Sequence, residues 1–158
     1  MASGGTPATA LLTRAKINFT LHPYDHDPAT TGYGDEAAAA LGVDPQRIFK
    51  TLVADVAGTS VMAVVPVARQ LDLKALAAAR GAKKAMMADP EAAARLTGSV
   101  VGGISPLGSR RPLPVVIDAS AETYPTIFVS AGKRGLQLEL APGDLRTAAK
   151  GAFAAIAH

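Results

Sequence analysis

Lys50 is the residue whose placement most invites chemistry. It opens a strongly apolar stretch, Phe49-Lys50-Thr51-Leu52-Val53-Ala54-Asp55-Val56. In a strand, the period of two puts Lys50, Leu52, Ala54 and Val56 on one face and Phe49, Thr51, Val53 and Asp55 on the other. A lysine on an aliphatic face must snorkel along its four-carbon stem, meet an anion, or lose its proton more readily. A strand-end lysine reaching solvent is the structural reading, and one that meets an anionic ligand is the functional reading. The second candidate is the loop Gly102-Gly103-Ile104-Ser105-Pro106. Adjacent glycines let a backbone approach a ligand closely and can aim successive N–H groups at one oxygen. An oxyanion or carbonyl binder needs that geometry. The same residues would also make a tight turn between a helix and a strand.

Other constellations are weaker. A hydrolase elbow needs Gly-x-Ser-x-Gly, and Gly103-Ile104-Ser105-Pro106-Leu107 lacks the final glycine. Pro106 also disfavours helical geometry at Ser105, so a Ser/His/Asp triad has little support. His22, Asp25, His26 and Asp27 resemble a metal cluster in composition only. Extended, four residues span ~13 Å at about 3.3 Å each, whereas each ligand of one Zn²⁺ lies ~2 Å from the ion. No metal is expected. Ser130-Ala131-Gly132-Lys133-Arg134-Gly135 is a basic, glycine-containing loop suited to phosphate or to close substrate approach. It lacks the order of a P-loop. Tyr24 and Tyr33 each offer a hydroxyl and a stacking face, or ordinary packing.

The elements that must position these groups are readable in outline. Thr6 caps a helix over 6–16 with Pro7 at its first position. Phe19 to Leu21 reads as a strand stopped by Pro23. Asp35 to Leu41 reads as a helix closed by Gly42, and Asp44-Pro45 as the start of another helical turn. Phe49 to Val56 and Val61 to Val67 form a hairpin around Ala57-Gly58-Thr59-Ser60. Asp72 to Arg80 is a helix closed by Gly81, and Asp89-Pro90 opens another closed by Gly98. Pro114 to Ile117, Thr126 to Ser130 and Leu136 to Leu140 are strands, and Pro142 to Ala157 is a terminal helix broken near Gly151. Strands and helices mix without a strict βαβ rhythm. The expected class is α/β (α+β), with a mixed sheet curled toward a barrel and surrounded by helices.

Composition narrows the options further. At 158 residues the chain has one domain's length, so residues 1–158 are read as a single domain with residues 1–5 flexible. Apolar residues make up 49% and charged residues 18%, a composition that folds. No cysteine is present, which excludes disulfides, thiolate metal sites and a Cys nucleophile. The longest apolar run, Val61 to Ala68, falls well short of the ~20 residues a spanning helix needs. Met1-Ala2-Ser3-Gly4-Gly5 has neither the basic nor the apolar region of a leader, so no membrane association and a cytoplasmic location are expected. The net charge of +3 permits an anionic partner without demanding one. With no Trp, extended stacking on single-stranded bases is disfavoured. Phosphate contacts from the doublets Lys83-Lys84, Arg110-Arg111 and Lys133-Arg134, with one or two aromatics, would have to serve instead.

Read together, the ordered segments form a pattern. They run His22-Pro23-Tyr24-Asp25-His26-Asp27, Gly34-Asp35-Glu36, Phe49-Lys50-Thr51-Leu52, Pro66-Val67-Ala68 and Gln70-Leu71-Asp72-Leu73-Lys74. They continue through Ala88-Asp89-Pro90, Gly102-Gly103-Ile104-Ser105-Pro106-Leu107-Gly108, Ser130 to Leu136 and Ala141-Pro142-Gly143-Asp144-Leu145. This string closely resembles the YbaK/EbsC family of Cys-tRNA(Pro)/Cys-tRNA(Cys) deacylases, over essentially the whole chain after the first five residues. The resemblance implies a barrel-like mixed sheet and a trans-editing enzyme without a cofactor or metal. It also implies two partners, the acceptor end of an aminoacylated tRNA and prolyl-tRNA synthetase. Lys50 matches the lysine that the family treats as essential, and Gly102 and Gly103 match the glycine loop of the aminoacyl pocket. Tyr24, Tyr33, Thr51, Ile104, Ser130, Gly132 and Gln137 fall at pocket positions. Gln137 stands where close members tend to have Asp, and Gln cannot act as a carboxylate base. The chemistry implied is substrate-assisted: the cysteine thiol attacks its own ester carbonyl and displaces the tRNA. Two rivals are a sibling Ala-tRNA(Pro) deacylase that uses water and a non-catalytic aminoacyl-tRNA-binding module. A third, a metal-dependent hydrolase built on His22 and His26, is disfavoured by the spacing.

Overall fold

A computed structural model describes residues 5–158, so Met1–Gly4, part of the segment read as flexible and leaderless, lie outside the described residues. The chain begins with α1 (Pro7–Arg14), β1 (Thr20–Pro23) and α2 (Tyr33–Leu41). The hairpin strands β2 (Phe49–Val56) and β3 (Thr59–Pro66) come next, then α3 (Leu73–Ala79), β4 (Ala85–Met87) and α4 (Pro90–Thr97). The remainder is β5 (Val115–Asp118), a 3₁₀ turn (Ala119–Thr123), β6 (Ile127–Lys133), β7 (Leu136–Leu140), α5 (Pro142–Ala149) and β8 (Ala152–Ala154). Side-chain caps start three helices. Thr6 and Thr9 form a reciprocal capping box on α1, and Asp72 and Asp89 accept from Ala75 N and Ala92 N on α3 and α4. No described helix is long and apolar enough to cross a membrane.

The mixed α+β class is as expected, but the sheet does not close into a barrel. Three strands lie in the order β1-β7-β6 and five in the order β4-β2-β3-β5-β8. A parallel bridge between Ile48 and Phe128 joins the two sheets. The main core lies between them, where Phe49, Val53, Met62, Val64 and Ile117 meet Ile127, Val129, Leu138 and Leu140. On the opposite face of the larger sheet, Ala54, Val56, Val61, Ala63 and Val65 pack under Leu76 of α3 and Ile156. Burial on both faces explains why β3 is continuously apolar rather than alternating. A third cluster, Ala37 and Ala38 of α2 with Ile48 and Phe128, covers the other face of the smaller sheet.

Three local readings are corrected. The hairpin turn has two residues rather than four, because Ala57 (φ 51°) and Gly58 (φ 88°) both take the left-handed region. That geometry matches the strand twist and lets β3 begin at Thr59. The segment at Asp44-Pro45 is a turn, not helix. The terminal helix stops at Ala149, and Lys150 (φ 54°) closes it. Gly151 follows, where a Cβ would come within 2.8 Å of Val115 O. The chain then extends as β8 and pairs with β5 in parallel.

Asp118 anchors this C-terminal segment. Its Oδ1 accepts from the amides of Ile156 (2.9 Å) and Ala157 (3.0 Å), and its Oδ2 accepts from the Ser120 amide (3.2 Å) and hydroxyl (2.5 Å). Arg69 lies 3.5 Å away. Burial pushes the carboxyl pKa up, but these hydrogen bonds outweigh it and hold the group below its ordinary value.

Candidate functional site

A cleft of about 280 Å³ opens where the N-terminal end of β2 meets α2, the 102–104 loop and β6–β7. Of the sequence candidates, Tyr33, Lys50, Thr51, Gly102, Ile104, Ser130 and Gln137 line it. Tyr24 packs instead against the Ala37, Ala38, Ile48 and Phe128 cluster. Gly132 lines a separate depression beside Thr97, Ser105 and Arg110. Asp35, Leu52 and Val67 join the wall without having been singled out from sequence. The quoted Gly34-Asp35-Glu36 and Pro66-Val67-Ala68 segments were the available signal. A Cβ on Gly34 would strike the Val67 side chain, so this glycine lets α2 close against the turn after β3.

Lys50 is half-buried, and its ammonium has no ion partner among the described residues. β2 carries it into the cleft opposite Val65 of β3. The strand's alternation then sends Phe49 and Val53 into the main core and Leu52, Ala54 and Val56 to the outer cluster. By that alternation Lys50 shares a face with Leu52 and Ala54, and it is half-buried where β2 lines the cleft.

The glycine loop divides its amides. Gly103 N–H donates to Val100 O at 2.9 Å, while its carbonyl accepts from Ser130 Oγ at 3.0 Å. Ser130 Oγ in turn accepts from Gly132 N–H at 3.1 Å. Gly103 is thus bound into the scaffold, and a Cβ there would meet the Lys133–Arg134 backbone at 3.0 Å. Gly102 and Ile104 line the cleft, and their amides have no acceptor among the described residues. Of the loop's three amides, only that of Gly103, which the sequence reading paired with Gly102, is taken by the chain itself.

An aromatic and a guanidinium hold that loop. Gly102 has φ +87°, and a Cβ would run into the Tyr33 ring. Arg134 stacks over the same ring at 4.3 Å from its centroid. It also donates to Val101 O through Nε (2.8 Å) and Nη2 (2.5 Å). Tyr33 lies close to the His26 ring, whose Nδ1 is 2.7 Å from Glu36 Oε1. That hydrogen bond, with one from the Asp27 amide, holds the Glu36 carboxyl below its ordinary pKa. His22 serves a different carboxylate. Its Nε2 lies 2.9 Å from Glu139 Oε1, and Glu139 Oε2 accepts from Thr126 Oγ1 at 2.5 Å. The Thr126 bond is the largest cause of a lowered Glu139 pKa, aided by His22 and Arg47 against the opposing effect of burial. The two histidines are therefore committed to separate partners.

At the floor of the cleft lie two polar side chains of another kind. Thr51 is 9% exposed and Gln137 is 6% exposed. Thr51 Oγ1 and Gln137 Oε1 are buried without a hydrogen-bond partner among the described residues. Gln137 shares its sheet face with Ser130 and His22, its register neighbours on β6 and β1.

Comparison with known proteins bears on the family and the fold. The profile of the aminoacyl-tRNA editing domain family matches residues 27–148. A protein of Enterococcus faecalis (strain ATCC 700802 / V583), named as the Cys-tRNA(Pro)/Cys-tRNA(Cys) deacylase EbsC, is 43% identical over 123 residues. The alignment spans 77% of this chain and 75% of that protein. A solved structure named as a trans-editing enzyme for prolyl-tRNA synthetase superposes with a TM-score of 0.85 at 25% identity, covering 100% of this chain and 99% of the other. A hypothetical protein of known structure shares the fold with a TM-score of 0.87 at 24% identity, over 97% of this chain and 100% of its own.

Proposed function

The chain belongs to the aminoacyl-tRNA editing domain family, and from that premise we propose that it removes cysteine from mischarged Cys-tRNA(Pro), and from Cys-tRNA(Cys), by substrate-thiol-assisted ester cleavage. The observation that carries this reading is a cleft that offers a cation and two amides without an acceptor but, among the described residues, no hydroxyl hydrogen-bonded to a base that could activate it. Ser105, the candidate nucleophile in the glycine loop, is turned away from the cleft: its Oγ accepts from Leu107 N–H at 3.2 Å and lines the neighbouring depression. A protein that supplies no attacking group must take it from water or from the substrate.

Cysteine carries its own nucleophile. Its sulfur bonds to the ester carbonyl carbon, and the bond from that carbon to the terminal ribose oxygen breaks. The thiol proton ends on the ribose hydroxyl, giving free tRNA and a cysteine thiolactone that water opens to cysteine. Holding the thiol against the carbonyl can supply roughly 7–11 kcal/mol of the barrier through proximity. In this scheme the Gly102 and Ile104 amides receive the developing oxyanion, a contribution worth about 10²–10³ in rate per donor in comparable sites. Lys50 holds the terminal ribose or the phosphate beside it. Tyr33 and Arg134 keep the amide-bearing loop in place.

Selectivity then comes from chemistry rather than pocket size. A hydrophobic pocket separates substrates that differ by one methylene by only about 1–3 kcal/mol, but alanine and proline esters lack the thiol. The exposed doublets Lys83-Lys84 and Arg110-Arg111 offer little grip on a whole tRNA, so preference for tRNA(Pro) falls to prolyl-tRNA synthetase as partner. The test is deacylation of Cys-tRNA(Pro) and Ala-tRNA(Pro) side by side by the full chain. Loss of the Cys ester with the Ala ester persisting is expected. Loss of the Ala ester alone, or persistence of both with the synthetase present, overturns the reading.

A further inference from the structure

We propose that Thr51 Oγ1 and Gln137 Oε1 together form the receptor for the α-ammonium group of the bound aminoacyl ester. The inference rests on the deacylase reading and adds a subsite to it. Buried polar atoms in a folded protein are nearly always paired, and a buried group left unpaired carries its full desolvation penalty. The residues that carry two such atoms, Thr51 on β2 and Gln137 on β7, line one cleft. They are 91% and 94% buried by residue, whereas Asp35 on the same cleft is exposed and Lys50 half-exposed.

Donor and acceptor chemistry selects the ligand group. Gln137 Oε1 accepts only, and Thr51 Oγ1 can accept. An aminoacyl ester offers a carbonyl and an ester oxygen, which are acceptors and cannot satisfy Oε1. Its thiol is a weak donor. Its ammonium is the one compact group with several donors and a positive charge. Depth gives the same assignment. The amino acid is the terminal moiety of the tRNA and reaches furthest into the cleft, while ribose and phosphate remain at the mouth with Lys50. An ammonium fixed at the floor would also orient the Cα substituents, turning the carbonyl toward the Gly102 and Ile104 amides and the thiol toward the carbonyl carbon.

The proposal is tested by binding, independently of turnover. Non-cleavable 3′-cysteinylamido-adenosine is titrated into the full chain beside its 3-mercaptopropionyl analogue, which keeps the thiol and chain and lacks only the ammonium. A charge-assisted hydrogen bond predicts that the amine form binds wild type about tenfold tighter or more. In Gln137→Leu and Thr51→Val the preference should fall to roughly threefold or less, with both variants melting at or above the wild-type temperature. Equal binding of the two compounds to wild type, no binding of either, or an undiminished preference in both variants overturns the proposal. Deacylation of Cys-tRNA(Pro) is measured on the same preparations. Amine-dependent binding without deacylation sinks the enzymatic reading and leaves the subsite standing. Deacylation without amine-dependent binding does the reverse.

Discussion

Two buried polar sites in this molecule are built on opposite terms. At the end of β5, Asp118 is 2% exposed and every oxygen is occupied: three backbone amides, one hydroxyl and a nearby guanidinium surround it. In the cleft, Thr51 and Gln137 are almost as buried, and their side-chain oxygens have no partner among the described residues. The same desolvation cost is offset inside the chain at the first site and left open at the second. A satisfied buried group belongs to the fold. Under the proposal above, the ligand's ammonium completes the unsatisfied one.

The largest effect on stability should come from dismantling the satisfied site. Asp118→Ala leaves the Ile156, Ala157 and Ser120 amides without their acceptor and Arg69 without its counter-charge, at a cost of about 3–5 kcal/mol. At ~2–4 °C per kcal/mol for a chain of this size, the melting temperature should fall by roughly 6–20 °C. Deacylation by the folded fraction at low temperature should be unchanged. A drop under ~3 °C would show that the contrast between the two sites is not energetic.

The largest effect on rate should come from the other region. Lys50→Ala removes the one cationic side chain that lines the cleft among the described residues, and deacylation should fall by at least ~10²-fold, the scale of a misplaced substrate. The melting temperature should barely move, since no ion pair to Lys50 is lost among the described residues. A variant that deacylates normally would remove Lys50 from the mechanism. Gly102→Ala should sit between the two regions. Its φ of +87° and the Tyr33 ring leave no room for a Cβ. The strain is worth about 1–3 kcal/mol, and the loop should shift off the Tyr33–Arg134 stack. Loss of both stability and rate is expected, read by melting and by deacylation of Cys-tRNA(Pro).

The difference in what the sequence disclosed follows the same division. β2 and β7 were legible to the residue, because their apolar patterns and flanking turn residues agree with where the packed faces lie. Lys50 and the glycine loop were legible because charge on an apolar strand and paired glycines stand out locally. The C-terminal strand was not. Pro142 to Ala157 is rich in alanine and reads as helix by propensity, yet the free edge of β5 and the Asp118 carboxylate capture residues 152–157 as extended chain. That competition is tertiary and leaves no local mark. Ala57 in the left-handed region gave no warning of a two-residue turn, since alanine is not the residue that usually signals one. At the site, Val100 O takes the Gly103 amide, a contact that spacing alone does not reveal. The clamp by Arg134 was equally hidden inside a loop read as basic and suited to phosphate or to close substrate approach.

Acidification should separate the regions more gently. Asp118 holds a pKa below its ordinary value, so its ionised form is favoured by folding. Its contribution is complete above the unfolded value of about 3.9 and is lost as pH falls through the lower folded value. Stability should therefore decline below about pH 4. Asp118→Asn, which keeps one acceptor oxygen and cannot titrate, should flatten that decline when melting temperature is followed from pH 6 to 2. Glu139 and Glu36, also lowered, leave a residual slope in the same direction.

The smallest expected shift is the sharpest test of the contrast, because its sign is opposite to that of ordinary core substitutions. Thr51→Val exchanges a hydroxyl for a methyl at a buried β2 position where the hydroxyl has no partner. Most substitutions in a packed interior destabilise by about 1 kcal/mol. Here the lost atom contributes no hydrogen bond within the chain, and the added methyl suits a strand. Water entering the cleft can meet part of the hydroxyl's need, so the gain should be modest, about 0.5–1 kcal/mol, or ~1–4 °C in melting temperature. Substrate binding should weaken in the same variant. A Thr51→Val protein that melts clearly lower would mean that the hydroxyl is already satisfied, as Asp118 is. The two sites would then differ in position but not in kind.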